Sequence, residues 1–235
     1  RDHFRQRIPR AEVEVIRDFV RSVLPAGAEV EACGSYRRGA ADCGDADLLI
    51  CAPECMTDDL CGSVVAKLND LGLITEQLRS VRGKVSTNWQ GAVRLASTGR
   101  PELAEYQWHR RMDIKVYPLS QRAFAELYFG SGERFNRAIR LHATRRGYAL
   151  SDKGIRKVTR GRAENGQMVH VWEGPMEQDP TGQDWATEDS IFGFLGLPFF
   201  PPELRGDDIS TAQLGELAES WAETEAGERG EGSGG

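Results

Sequence analysis

Two short apolar segments that carry acid constrain this chain more than any other feature. The first is Gly44-Asp45-Ala46-Asp47-Leu48-Leu49-Ile50 and the second is Arg111-Met112-Asp113-Ile114-Lys115-Val116. Both read as strands, in which residues two apart share a face. Asp45 and Asp47 then project together while Leu48 and Ile50 turn into a core, and Asp113 projects opposite Met112, Ile114 and Val116. If the two strands are sheet neighbours, three carboxylates meet on one side. Such a cluster repels itself unless cations neutralise it. Hard oxygen ligands suit Mg²⁺, and two such ions about 3.5–4 Å apart are the usual device for in-line phosphoryl transfer.

The 235 residues suffice for one large domain or two small ones with a real core. No apolar run approaches the ~20 residues of a membrane span, and Arg1-Asp2-His3-Phe4-Arg5 lacks the apolar centre of a signal peptide. The cysteines (Cys33, Cys43, Cys51, Cys55, Cys61) are odd in number and irregularly spaced, which favours reduced thiols over a disulfide framework. Cys51 and Cys55 would suggest zinc with a histidine nearby, but His3, His109, His142 and His170 lie far away in sequence. The net charge of −6 hides a division. Residues 133–162 carry 10 basic and 2 acidic groups, and residues 163–235 carry 2 basic and 16 acidic ones. A basic middle segment is the signature of a polyanion contact, and the carboxylates upstream favour nucleic acid over a merely solvated helix face.

Along the chain, Pro9 and the stripe Val13, Ile16, Val20, Val23 predict a helix over 9–24, ended by Pro25-Ala26-Gly27. Strands are expected over 28–33 and 45–51. Thr57-Asp58-Asp59 reads as the cap of a helix running to Leu71, with Leu60, Val64, Leu68 and Leu71 inward. Residues 73–80, 89–96 and 112–117 read as strands. Past Pro118-Leu119-Ser120, helices are expected over 121–129 and 133–146 around a Gly130-Ser131-Gly132 hinge. Short strands near 148–151, 155–159 and 168–172 follow, then a helix over 188–195 capped by Thr187. The composition beyond about 206 cannot bury a core, although 211–224 is compatible with a transient helix.

Gly34-Ser35-Tyr36-Arg37-Arg38 follows a strand. Glycine lets backbone approach a phosphate, successive N–H groups can cradle it, and the Ser35 hydroxyl and Arg38 fork would add donors. With Asp45-x-Asp47 and the later Asp113, this spacing resembles the nucleotidyltransferase superfamily. The longer text is narrower. Cys33-Gly34-Ser35-Tyr36-Arg37-Arg38-Gly39, Cys43-Gly44-Asp45-x-Asp47, Arg110-Arg111-Met112-Asp113-Ile114 and Leu127-Tyr128-Phe129 are similar to the family X DNA polymerases. So are Phe135-Asn136-Arg137-x-x-Arg140, Gly147-Tyr148-x-Leu150-Ser151 and Phe194-Leu195-Gly196-Leu197-Pro198. The resemblance runs from about residue 4 to 205.

This resemblance implies an α+β fold. A nucleotidyltransferase-type palm, a mixed or antiparallel sheet with flanking helices, would occupy 1–118. A small α+β nucleotide-selection subdomain would follow over 119–205, and then a disordered acidic Gly/Glu-rich tail over 206–235. It implies that Asp45, Asp47 and Asp113 hold two Mg²⁺ ions, replaceable by Mn²⁺, with Asp113 as the ligand nearest the primer 3′-OH and its candidate proton acceptor. It assigns Arg7, Gly34, Ser35, Arg38 and Gly44 to the incoming nucleotide, and Arg111 to bracing the metal carboxylates. Tyr128 and Phe129 would lie against the sugar and exclude a 2′-OH, Asn136 would read the minor-groove edge of the incoming base, and Arg140 and Arg137 would contact DNA. The expected reaction is addition of dNTPs to a primer on gapped or primer–template DNA, in base excision repair or end joining. The chain would act as a nuclear monomer, with repair or end-joining proteins reached through regions outside it.

Two departures qualify the match. Most relatives carry Thr-Gly-Ser where this chain has Gly130-Ser131-Gly132, so looser sugar selection and a more flexible hinge are expected. Repair members of the family also carry a lyase domain and a helix-hairpin-helix module ahead of the palm, and Arg1 falls just after where those would end. A fragment or a minimal form is expected, with weak, salt-sensitive duplex grip. Two other readings remain. A template-independent terminal transferase is disfavoured by Tyr128-Phe129, because such relatives usually carry Gly-Trp there. A non-catalytic DNA-end binding module is disfavoured by the presence of every metal aspartate.

Overall fold

The computed structural model describes residues 6–78, 87–162, 168–172 and 185–206, with isolated residues 213 and 216. The expected tail beyond Gly206 therefore lies almost wholly outside the described residues, as do residues 79 and 80 of the expected strand 73–80. The chain divides into two compact units, Arg1–Arg122 and Ala123–Gly235.

Unit 1 opens with the two-residue strand β1 (Ile8–Pro9) and helix α1 (Arg10–Arg21). Pro9, at φ −55°, is pre-set to lead into a helix. The apolar residues Val13, Ile16 and Val20 recur at helical spacing and are fully buried. The helix stops at Arg21 rather than 24. Residues before a proline disfavour helical backbone, and Pro25 follows closely. Strand β2 (Glu29–Ala32), the single helical turn α2 (Gly34–Arg37), β3 (Asp42–Cys43) and β4 (Ala46–Ala52) come next. Helix α3 (Thr57–Asp70) is not capped by Thr57. That hydroxyl instead donates to the Glu54 carbonyl at 2.9 Å, in a tight turn that feeds the helix. Strands β5 (Ile74–Gln77), β6 (Asn88–Val93) and β7 (Arg110–Pro118) complete the unit. β6 ends short of 96 because Leu95–Thr98 coils into a 3₁₀ turn closed by Gly99 at φ 72°.

Five strands form one mixed sheet in the order β2-β4-β7-β6-β5. β4 and β7 run parallel, and the other neighbours are antiparallel. Alternation along the central pair decides the faces. Ala46, Leu48 and Ile50 of β4, with Met112, Ile114 and Val116 of β7, join Leu60, Val64 and Leu68 of α3 and the α1 stripe in one core. Fully burying each such Leu, Ile or Val stabilises the fold by about 1.5–3 kcal/mol. The intervening residues, Asp47 and Asp113 among them, stand on the opposite face.

Unit 2 is helical with a small sheet. Helix α4 (Arg122–Gly130), which begins at the last residue of unit 1, and α5 (Glu133–Arg145) precede β8 (Tyr148–Leu150), β9 (Ile155–Arg162) and β10 (Met168–Trp172); α6 (Glu188–Phe194) follows. The strands form an antiparallel sheet in the order β10-β9-β8. Phe135, Phe192, Ile139, Ile155 and Ile191 are buried together, and the Phe135 and Phe200 rings meet edge-on at 5.7 Å. Thr187 stands at the N-cap of α6 but makes no side-chain cap bond.

The hinge between α4 and α5 is held rather than loose. Gly130 is the last residue of α4, and Gly132 adopts φ −70° and ψ 162°, a conformation open to any residue. The Gly132 N–H donates to the Arg205 carbonyl at 2.6 Å. Arg205 is itself fully buried, donating to Glu188 at 2.5 Å and to the Phe200 carbonyl at 2.6 Å. The extra glycine therefore adds no glycine-only backbone at this point.

Candidate active site

Asp45 precedes β4, Asp47 lies on it, and Asp113 lies on β7. Parallel pairing places Asp47 directly opposite Asp113. One carboxylate oxygen from each of the three residues falls within 4.8 Å of the others. The spacing of the two acidic segments anticipated this meeting.

Each acid has a support. The Arg111 guanidinium is hydrogen-bonded to Asp45 Oδ2. Gln90 on β6 stands opposite Asp113 and donates from Nε2 to Asp113 Oδ2 at 2.8 Å. Asp113 Oδ1 is buried and has no hydrogen-bond partner among the described residues. Asp47 carries an electrostatic cost. Burial, followed by the Asp113 charge, pushes its carboxyl up to about 6, against a partial offset from Arg38 and Lys115.

Gly34 sits under Asp47 at φ 57°. A Cβ at this position would overlap Asp47 Oδ2 and lie 2.9 Å from Cγ, so both backbone sign and space require glycine. The Cys33 N–H donates to the Asp47 carbonyl at 2.8 Å, which ties the turn to the acid-bearing strand. Within the turn, the N–H groups of Arg37, Arg38 and Ala40 bond back to Cys33, Gly34 and Ser35. The donors left to face a ligand are those of its first residues, together with the Ser35 hydroxyl.

Arg7 lies beside Gly44, its guanidinium 3.6 Å from where a Cβ on that glycine would stand. Its guanidinium holds Asp42 through the side chain and the carbonyl, both at 2.8 Å. The backbone there is set from beneath. Arg110 is buried and grips Glu12 through two bonds of 2.8 and 2.6 Å, while its third nitrogen reaches the carbonyls of Gln6 and Arg7 at 3.3 and 3.4 Å. A two-pronged charged pair of this kind fixes geometry as well as energy.

In unit 2, the Tyr128 and Phe129 rings meet edge-on at 5.2 Å. The Asn136 side-chain N–H₂ donates to the Tyr128 carbonyl at 2.8 Å and to the Ser131 carbonyl at 3.4 Å. It is thus turned to its own unit rather than outward. Tyr128, Asn136 and Arg140 line a shallow pocket with Phe124, Leu127, Leu150 and Ser151. Arg137 does not line it; it pairs with Glu133 at 2.6 Å on the exposed face of α5.

Gln90, Lys115, Glu12 and Arg110 carried no role in the sequence reading. Arg110 stands inside a quoted motif, but its partner Glu12 is 98 residues away and has no local signal. Gln90 could be found only with the β6–β7 register known.

The donor set suits a hard divalent cation. It is all oxygen, part-buried and includes a carboxylate oxygen with no other partner among the described residues.

The family described as DNA polymerase beta palm matches residues 7–119, and that described as DNA polymerase beta thumb matches residues 125–206. Among curated proteins, the chain is 34% identical to DNA polymerase lambda of Rattus norvegicus over 209 residues, which is 87% of this chain and 34% of that protein. It is 28% identical to DNA polymerase lambda of Arabidopsis thaliana over 212 residues, which is 87% of this chain and 37% of that protein. The chain thus spans about a third of the length of these relatives. With both of the family's domain types matched in order along its length, the chain belongs to the family X DNA polymerases.

Proposed function

We propose that the chain is a DNA-directed DNA polymerase core, adding deoxynucleotides to a primer 3′-OH with release of pyrophosphate. The observation that carries this reading is the convergence of Asp45, Asp47 and Asp113 on one face of the sheet, with Asp113 Oδ1 buried and, among the described residues, unpartnered. Two divalent ions held there would lower the pKa of the primer hydroxyl and neutralise charge building at the α-phosphate and on the departing pyrophosphate.

The chain's own groups would do the rest. Asp113 would hold the hydroxyl side of the reaction and serve as proton acceptor. Asp45 and Asp47 would bridge toward the triphosphate, with Arg111 holding Asp45 in place. Ser35 and Arg38 would donate to phosphate oxygens, and Arg7 would join them on leaving Asp42. For unit 2, the family resemblance assigns Tyr128 and Phe129 to the sugar and Asn136 to the base edge, the latter once it releases the Tyr128 carbonyl. Arg140, Arg137 and the other basic groups of 133–162 would meet phosphate and template, fixing register rather than reading sequence.

Short-gap filling in base excision repair or end joining, in the nucleus and as a monomer, is the setting we assign. Extension of a primer on one-nucleotide-gapped DNA by the 235-residue chain, with Mg²⁺ or Mn²⁺, tests this. DNA binding without any incorporation in Mn²⁺ would replace it with an end-binding module. Growth of a lone single strand without template would make the chain a terminal transferase.

A further inference from the structure

Gln90 stands beside the acid cluster but takes no part in the proposed reaction. Gln90 projects from β6 on the same face as Asp113 and Asp47, so that the three stand in a row across neighbouring strands. Its side-chain amide lies 2.8 Å from Asp113 Oδ2. An ionised carboxylate only accepts, so the amide nitrogen must face it. The effect on Asp113 is selective. One oxygen is taken by a neutral donor, and the other is left buried with no partner among the described residues.

We propose that Gln90 is a positioning residue for the cation site: it fixes the Asp113 carboxylate in one rotamer and presents Oδ1 to the divalent ion. The proposal rests on the metal-dependent reading above but is tested apart from it. Because Gln90 and the ion use different oxygens, the amide bond persists when the ion binds. Its contribution is then pre-organisation, and removal weakens binding. A partner that orients a ligating carboxylate is typically worth about 10–100-fold in metal affinity or activity. Among the described residues the one side-chain hydrogen bond of Gln90 is to Asp113, so its influence passes through that carboxylate.

The test uses the full chain and Mn²⁺ as the probe, followed by electron paramagnetic resonance without DNA or nucleotide. Gln90→Met keeps length and β-strand compatibility while removing the donor. Tight Mn²⁺ binding should weaken about tenfold or more, with the thermal unfolding curve little changed. The decisive arm is a cycle with Asp113→Asn. In that background Gln90→Met should have no further effect on Mn²⁺ affinity, because the group it orients is gone. A merely structural role for Gln90 would leave the same loss in both backgrounds and overturn the proposal, as would unchanged Mn²⁺ affinity in the single variant. A parent chain that binds no Mn²⁺ would overturn it too. If Mn²⁺ responds as expected but no primer is extended, the inference stands and the polymerase reading falls. Where primers are extended, Gln90→Met should lower kcat by a similar factor and leave the KM for dNTP in place.

Discussion

The two units organise their candidate residues by different means. In unit 1 the acids sit on or beside strands whose register is fixed on both sides, and each has a support from another segment: Arg111 for Asp45, Cys33 for the Asp47 backbone, Gln90 for Asp113. In unit 2 the candidates sit at helix ends and on an exposed helix face, and they bond within their own unit: Asn136 to the Tyr128 carbonyl, Arg137 to Glu133. A sheet delivers a constellation that exists before any ligand arrives. A helix end delivers groups that must exchange an internal partner for an external one. Both units nonetheless rely on the same anchoring device, a buried arginine–glutamate pair, Glu12–Arg110 in the first and Glu188–Arg205 in the second.

The largest expected effect probes the rigid side. Asp113→Asn should reduce primer extension by at least about 10²–10³-fold, the scale of losing a placed charge in a transition state, with an unchanged circular dichroism spectrum. Activity near that of the parent chain would show that the acid cluster is not where the chemistry occurs. The anchors come next. Glu12→Ala and Glu188→Ala each leave a buried guanidinium without its carboxylate and should cost about 3–5 kcal/mol in denaturant unfolding. A loss below about 1 kcal/mol in either case, as for an exposed pair, would break the parallel drawn between them.

A third test reads the strain in the acid cluster. The Asp47 carboxyl titrates at about 6 in the fold against 3.8 for an ordinary aspartate. Between those values the folded chain holds a proton that the unfolded chain has released. Stability should therefore fall as pH rises from about 4 to about 6 and stay lower above that. With divalent ions chelated, Asp47→Asn should be about 2–3 kcal/mol more stable than the parent chain at pH 7.5 and equal to it near pH 4. A pH-independent difference would mean that the gain has another source. The smaller effects belong to unit 2. Asn136→Ala should cost about 1 kcal/mol for the lost bonds to the Tyr128 and Ser131 carbonyls and should raise misincorporation in single-turnover assays. Arg137→Ala should change stability by no more than about 0.5 kcal/mol, since its pair with Glu133 is solvated.

What the sequence revealed follows the same division. Asp45, Asp47 and Asp113 were legible because strand alternation turns spacing into facing; Gly34 was singled out as a turn glycine, and what the structure shows requiring it is its φ of 57° and the adjacent Asp47 carboxylate. Element ends were less so. Thr57 looked like a cap, but its hydroxyl donates backward to the Glu54 carbonyl instead of accepting from a backbone N–H ahead, a choice that composition does not settle. Gly130 and Gly132 suggested looseness, yet Gly132 is tied to Arg205, more than seventy positions downstream. Gln90, Glu12 and Arg110 stayed hidden for a shared reason: their meaning depends on which distant segment packs beside them.

The parallel pairing of β4 with β7 has a developmental consequence. Parallel neighbours cannot be joined by a tight hairpin, and here the connection runs through α3, β5 and β6 before returning. Asp47 and Asp113 thus become neighbours only when that long excursion has closed. A nascent or clipped chain ending before β7 has two acids and no cradle, so competence to gather ions arrives together with the finished sheet.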